Sequence, residues 1–329
     1  MQHFLLSHRS KTLSIIEVAR INDDEIFSLF KFLRWYYENG KPICPHCYCK
    51  ECLIYKTRRL FKCKKCKRQF SVTSGTIFAN RKLPLRDYLM ALTLFTNEAK
   101  GLSALKLSRD LKVQYKTAFV LAHKIREAVI KSILTNKLYG KVELDGAYFG
   151  GYIKPANRKV DRVDRRKKKN QTGKRQCVFI IRERGGASIP TIMSTENGHD
   201  INASVAKYVD ENATLYADEH KAYNTLAVTY KLKRINHSEA YSNGDCSTNQ
   251  AESWFSRMRR SEIGQHHHVA GKYIDAYAGE MAYREDNRRT DNLAIMHDIL
   301  RICLKQKTSQ NWVGYWQKLT PSRPSAQTG

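Results

Sequence analysis

Asp145, Asp218 and Glu252 are the acidic residues whose settings suit a metal site for nucleic-acid chemistry. Asp145 ends the apolar run KVELD, Asp218 ends TLYAD, and Glu252 lies early in the amphipathic stretch NQAESWFSRMRR. Two predicted strands and one predicted helix therefore each offer a carboxylate. Hard divalent cations take oxygen ligands, and a two-metal centre for phosphodiester chemistry needs those oxygens on separate rigid elements at a fixed separation. Taken singly, each carboxylate reads as a solvated surface residue, and only their conjunction marks a site. Charge points to the same substrate class: 58 Lys and Arg against 31 Asp and Glu give a formal charge of +27, which attracts polyanions and binds them through counterion release.

The third carboxylate is the least secure of the set. At about 100° per residue, Ala251, Trp254, Phe255 and Met258 form one apolar stripe, with Asn249, Glu252, Ser256 and Arg259 on the adjacent arc. Glu252 can then face a catalytic edge while the stripe anchors its helix. Asn249 followed three residues later by Glu252 equally reads as a capping box at a helix start. Glu143, two residues before Asp145 on the same strand face, competes for any metal held there.

Six of the nine cysteines fall in CPHCYCKECLIYKTRRLFKCKKC. Cys44 with Cys47 and Cys63 with Cys66 are two C-x-x-C pairs separated by fifteen residues, the spacing of a zinc ribbon in which each pair caps a tight knuckle. Cys49 and Cys52 form a further such pair that could replace the first; Pro45 favours Cys44 and Cys47 as the knuckle. The ribbon could serve only to hold a small domain together. Residues 41–68 nevertheless carry ten Lys or Arg and one acid, so the domain is also expected to touch phosphate.

Ahead of the ribbon, DDEIFSLFKFLRWYY repeats apolar residues at helical intervals from Ile26 through Phe30, Leu33 and Tyr37. A second helix starts near Leu85. GLSALKLSRDLKVQYKTAFVLAHKIREAVI then has the rhythm of a helix-turn-helix, with a helix over 103–111, a turn over 112–114 and a longer helix over 115–130. Gln114, Tyr115, Lys116 and Thr117 are the edge such a unit would offer to a major groove. A helical hairpin with no nucleic-acid role fits the pattern equally; the charge and the neighbouring ribbon favour DNA.

From Lys141 the periodicity changes to short strands: KVELDGAYFGGY, CVFIIRERGG and SIPTIMSTEN read as joined hairpins. A helix over 203–209, the strand TLYAD, a helical stretch HKAYNTLAVTY and the strand KLKRINH follow. Three antiparallel strands and then alternating helices and strands describe a ribonuclease-H-like mixed sheet in an α/β domain. Its first and fourth strands would be neighbours, bringing Asp145 to Asp218. Between the first two strands lies KPANRKVDRVDRRKKKNQTGKR, with eleven Lys or Arg, including Lys167, Lys168 and Lys169. Such a run is usually solvated when free, and beside a DNA-cutting site it could order on backbone phosphates. The run His266 to His268 reads as a loop, since three adjacent residues cannot all face one ion, and His237 as a neighbour of the site. Cys177, Cys246 and Cys303 look unpaired, and the tail PSRPSAQTG reads as disordered.

The ordered set of the CPxC and CKKC ribbon, QFSVTSGTIF, the helix-turn-helix, ELDGAYFGG, YADEHKAY, INHSEAY, TNQAESWFSRMRR and YAGEMAYREDNRR resembles the bacterial insertion-sequence transposases with an N-terminal zinc ribbon and an acidic-triad core, over about residues 22–290. The resemblance implies that Asp145, Asp218 and Glu252 are the catalytic triad and hold Mg²⁺ (or Mn²⁺). It makes Asn249 part of an Asn-x-x-Glu element and puts Arg259 where a lysine is usual, which exchanges a point charge for a planar fork. It implies structural Zn²⁺, double-stranded terminal inverted repeats and target DNA as partners, a homodimer assembled on DNA, and strand transfer.

The expected layout is helix and zinc ribbon over 1–75, helix-turn-helix over 76–137, catalytic domain over 138–300 with the basic insertion at 154–176, and C-terminal helix and tail over 301–329. The rival readings are a structure-selective nuclease, which would cut without joining, and a DNA-binding regulator, which would need no catalytic carboxylates. The sequence has no apolar run of about 18 residues for a membrane span, and MQHFLLSHRSK is too short an apolar start for a signal peptide. A cytoplasmic, nucleoid-associated protein with reduced cysteines is expected.

Overall fold

The computed structural model describes residues 4–133, 137–151, 156–164, 175–235 and 247–315. Lys167 to Lys169, His237, Cys246 and the tail after 315 lie outside these residues. Contacts divide the chain into two compact units, residues 1–129 with 289–329 and residues 130–288.

The first unit opens with α1 (Ile15–Arg20) and α2 (Asp23–Arg34). Asn22 caps α2 by accepting from the backbone of Asp24 and Glu25, while the Glu25 carboxylate accepts from the Asn22 N–H. α2 buries Ile26, Phe30 and Leu33. The expected continuation of its stripe to Tyr37 is not observed: the helix ends at Arg34, and Tyr37 lies 77% exposed in a short 3-10 turn. Trp35 leaves helical geometry and turns its ring onto Phe61 at 5.2 Å, so one large aromatic contact is gained where the helix stops. Phe61 belongs to the three-stranded antiparallel sheet of β1 (Cys52–Tyr55), β2 (Leu60–Cys63) and β3 (Gln69–Ser71). Arg34 donates to the carbonyls of Ser71 and Ser74, fixing the turn by which the chain leaves this sheet. Next come α3 (Leu85–Asn97), α4 (Ala104–Asp110) and α5 (Tyr115–Ile133).

The second unit is built on a five-stranded sheet of order β6-β5-β4-β7-β8. β4 (Lys141–Gly150), β5 (Arg175–Glu183) and β6 (Ser188–Met193) pair antiparallel, whereas β7 (Thr214–Ala217) runs parallel to β4 and β8 (Lys231–Arg234) parallel to β7. This is the expected ribonuclease-H-like mixed sheet. β5 is buried on both faces along most of its length, as a strand covered on both sides must be. α6 (Gly198–Tyr208) packs on β5 and β6. It begins at Gly198 rather than near Ala203, because the Asn197 side chain caps it by accepting from Asp200 N–H. The stretch expected as a helix within HKAYNTLAVTY is 3-10 over Lys221–Val228.

α7 (Asn249–Ser261) lies against β4 and β5, and α8 (Ile274–Asp286) against β5 and β6. Ala147, Phe149, Val178 and Ile180 from the sheet meet the expected stripe Ala251, Trp254, Phe255 and Met258 in one core. Beyond α7 the chain continues as a π-helical turn over Glu262–His266, with the His266 ring 4.5 Å from that of Tyr277. The first histidine of the triplet is thus part of a helical extension rather than of a loop. α9 (Asn292–Lys305) returns to the first unit, where its buried Met296, Ile299, Leu300, Cys303 and Leu304 pack it against α2 and α3.

Candidate active site

The cysteine cluster assembles from two knuckles of identical design. The N–H of Tyr48 returns to the carbonyl of Cys44, and the N–H of Lys67 returns to that of Cys63. Tyr48 and Lys67 both have left-handed backbones, with φ of 57° and 61°, so each C-x-x-C turn is closed by one residue of unfavourable but tolerated geometry. The ligand atoms of Cys44, Cys47, Cys63 and Cys66 lie within 4.8 Å of one another, with Sγ···Sγ distances of 3.6 Å for Cys44 to Cys66 and 3.5 Å for Cys47 to Cys63. Four thiolates about 2.3 Å from a tetrahedral zinc stand about 3.8 Å apart, so the cluster fits that ion. The amide of Cys66 donates to Cys63 Sγ and helps pull that thiol down to about 6, toward the thiolate a metal requires.

Cys49 and Cys52 stay outside the cluster, their thiols turned to the carbonyls of Glu51 and Cys49. Burial, and then the neighbouring thiols, push Cys52 up to about 11, which keeps it protonated. The open choice between the two upstream pairs therefore falls to Cys44 and Cys47.

In the helix-turn-helix region, Ser103 caps α4, and Lys112 takes a left-handed φ of 51° in the turn. Gln114, Tyr115, Lys116 and Thr117 are exposed at the start of α5, while Ala118 and Phe119 just behind them are buried. The buried Arg126 donates to the carbonyl of Leu102 and ties α5 to the entrance of α4.

In the second unit the parallel register pairs Glu143 with Tyr216. Asp145 and Asp218 each follow two residues on, so both stand just past the same end of the β4–β7 ladder, Asp145 still paired to Ile180 of β5 and Asp218 directly after β7. Glu252 occupies the first turn of α7, whose stripe seats it on β4 and β5. Asp145 Oδ1 accepts from Gly146 N–H at 2.8 Å, Asp218 Oδ1 accepts from His220 N–H at 2.9 Å, and Glu252 Oε1 accepts from Thr248 Oγ1 at 3.1 Å.

Burial raises the Asp145 carboxyl to about 7; the Gly146 amide opposes this, and the negative charges of Asp218, Glu196 and Glu252 add to it. Three carboxylates thus act on a fourth, a grouping whose mutual repulsion a divalent cation relieves. Among the described residues no three of these acids bring oxygens mutually within 4.8 Å. Two ions about 3.5–4 Å apart need a wider cage than one zinc does. Glu196 was not singled out in the sequence, where it falls at the end of the strand run SIPTIMSTEN.

Glu143 is not free for metal. It is 1% exposed, and its Oε2 accepts from the backbone N–H of Gln250 and Ala251 at 2.8 and 3.0 Å, capping α7 from a neighbouring strand. Its Oε1 accepts from Arg184 Nε at 2.7 Å. The same arginine donates to the Ser247 carbonyl and lies 4.0 Å from the ring centre of Tyr216. One buried ion pair thereby links β4, the residue two before Asp218, and the helix bearing Glu252. The alternative reading of Asn249 and Glu252 as a capping box is not realised: Thr248 is the N-cap position, and Glu143 supplies the acceptor. Asn249 is exposed at the first helical position. Arg259 is exposed too, with its guanidinium 5.9 Å from the ring centres of both Phe149 and Phe255.

Comparison with known proteins gives three results. Residues 137–286 match the ISXO2-like transposase domain, and residues 21–69 match the transposase zinc-ribbon domain. A protein of Halobacterium salinarum described as an uncharacterized protein in transposable element ISH50 is 26% identical over 299 residues, covering 86% of this chain and 98% of its own. A Mos1 transposase paired-end complex with left transposon end aligns at 9% identity over 67% of this chain and 79% of that one, with a TM-score of 0.21; the fold assignment stands on the sheet order instead. No described helix is long and apolar enough to cross a membrane. With both domains present in that order, the chain belongs with the insertion-sequence transposases that carry an N-terminal zinc ribbon.

Proposed function

We propose that this transposase binds the terminal inverted repeats of its element and catalyses Mg²⁺-dependent cleavage and strand transfer through Asp145, Asp218 and Glu252. The observation that carries the reading is the convergence of two adjacent parallel strands and a helix: Asp145 in β4 and Asp218 directly after β7 stand at one edge of the β4–β7 ladder, and α7 brings Glu252 over β4. When bound, Mg²⁺ supplies Lewis-acid stabilisation of a phosphodiester under in-line attack. The residues hold negative charge at that edge, keep their elements rigid, and leave the protein without a covalent intermediate. Asn249 and Arg259, at the N-terminus and the exposed face of α7, border the path of the strand being cut. Gln114, Tyr115 and Lys116 are assigned to the major groove, the ribbon and Lys167 to Lys169 to phosphates, and two copies of the chain to one DNA-bound assembly in the cytoplasm.

The test is a strand-transfer assay on terminal-repeat DNA with Mg²⁺. Wild-type protein should cut and join, while Asp218→Asn should bind the repeat and do neither. Cutting without joining by the wild type would favour a nuclease, and binding without cutting would favour a regulator.

A further inference from the structure

Glu196 lies between β6 and α6, yet its side chain rests against the strand that carries Asp145. A Cβ added to Gly146 would stand 2.6 Å from Glu196 Cδ, 2.6 Å from Oε1 and 2.9 Å from Oε2. The backbone there is not left-handed. The residue after Asp145 is glycine because a carboxylate fills the place of its side chain. One tyrosine holds that carboxylate and a second holds its backbone. Tyr223, 0% exposed and with its ring 6.3 Å from that of Phe179, donates its hydroxyl to Glu196 Oε1 at 2.5 Å. The backbone N–H of Glu196 donates to the Tyr148 hydroxyl at 3.1 Å.

The partner's chemistry is the telling point. The fully buried glutamates of this unit are matched with guanidinium groups: Glu143 with Arg184, Glu280 with Arg284, and Glu285 with Arg182, Arg257 and Arg288. A chain with 58 Lys and Arg has cations to spare. Among the described residues, however, no lysine or arginine pairs with the carboxylate of Asp145, Asp218 or Glu196. Tyr223 orients Glu196 through a neutral hydroxyl, and among the described residues Oε2 takes no hydrogen bond. A half-buried carboxylate that is oriented by a neutral donor, seated in the space of a missing side chain and set beside other carboxylates is prepared for a cation.

We propose that Glu196 is a fourth carboxylate ligand of the catalytic metal site, aimed by Tyr223 and admitted by Gly146. This assignment rests on the reading of Asp145 and Asp218 as metal ligands. Glu196 approaches from the loop before α6, an element that carries none of the other three carboxylates, so it would close a side of the metal cage that the triad leaves open.

Mn²⁺ binding to the full-length, zinc-loaded protein, followed by isothermal titration calorimetry, tests the assignment without DNA or turnover. Glu196→Gln should weaken one Mn²⁺ by about tenfold or more, and Tyr223→Phe, which removes only the orienting bond, by less, within the range for outer partners of metal ligands. Gly146→Ala leaves every carboxylate in the chain and should also weaken Mn²⁺, because the added methyl displaces Glu196. Melting temperatures are measured alongside. Wild-type Mn²⁺ affinity in Glu196→Gln and Gly146→Ala, with binding lost in Asp145→Asn, overturns the assignment and spares the triad. Wild-type affinity in Asp145→Asn overturns both. If Glu196→Gln does not fold, Tyr223→Phe and Gly146→Ala decide the question.

Discussion

The zinc ribbon and the proposed carboxylate metal site of this chain are assembled by opposite means. In the ribbon, four cysteines between residues 44 and 66 are brought together by two turns and one hairpin, and their sulfurs already stand at tetrahedral spacing. In the sheet, carboxylates from β4, β7 and α7 converge through topology alone and remain in electrostatic conflict, with Asp145 raised to about 7. A soft, closed site is encoded by local spacing and can build a domain. The proposed hard, open site depends on the order of strands, and a cation would relieve its repulsion.

The largest effect expected from this contrast is on the ribbon. Zinc bound by a structural site contributes on the order of 10 kcal/mol to folding, so Cys63→Ser, or a strong chelator, should unfold residues 41–71. Hydrogen exchange should show that loss while the five-stranded sheet stays protected. Full zinc content and a native ribbon in Cys63→Ser would break the comparison at its first term.

At the carboxylates the expectation reverses, with chemistry lost and fold kept. Asp145→Asn and Asp218→Asn should each lower strand transfer by several orders of magnitude with melting temperature and repeat binding preserved, since a lost ligand removes charge stabilisation of the transition state. Glu252→Gln should behave alike. A substantially active Glu252→Gln protein would remove Glu252 from the triad; Glu143 would not take its place, because both its oxygens are already engaged.

Glu143→Gln tests the junction between the two modes. It keeps an acceptor for the end of α7 but leaves Arg184 buried without its counter-charge, a change that costs about 1–3 kcal/mol. Activity should fall by more than that loss of stability explains, because α7 no longer holds Glu252 in register. Activity falling only in proportion to the folded fraction, measured by denaturant titration, would reduce the ion pair to a structural one.

The smallest effect is that of pH on the metal-free protein. The folded-state value of Asp145, about 7, lies above its ordinary value of 3.8, so the native state binds the proton more tightly than the unfolded chain does. That contribution is present in full below about pH 4 and is lost as pH rises through about 7. Wild-type melting temperature should decline relative to Asp145→Asn across that window, and Mg²⁺ should restore it above pH 7. Parallel curves for the two proteins would show that the carboxylates do not feel one another.

Much of this was legible in the sequence, and the exceptions share a cause. The C-x-x-C pairs, the apolar runs of β4 to β7 and the stripe of α7 are local patterns, and local patterns decided them. Glu143 and Asp145 stand on one face of one strand, alike in sequence. What separates their roles is a helix terminus more than a hundred residues away and an arginine just beyond β5. Glu196 carries no local signal, because its meaning depends on the space left at Gly146 and on Tyr223. Tyr37 fitted the helical stripe, but Trp35 had a better partner in Phe61 and ended the helix first.

The parallel pairing of β4 with β7 also sets an order of events in the life of the chain. A hairpin-built ribbon can close as soon as its last cysteine has left the ribosome. β7 cannot lie beside β4 until an entire crossover has been made, and α7 comes later still. Contacts so far apart along the chain form slowly, and synthesis proceeds from the N-terminus. A nascent or truncated copy therefore acquires its zinc ribbon and its α4–α5 pair well before it has the site proposed to cut, and incomplete chains would be spared the means to damage the DNA around them.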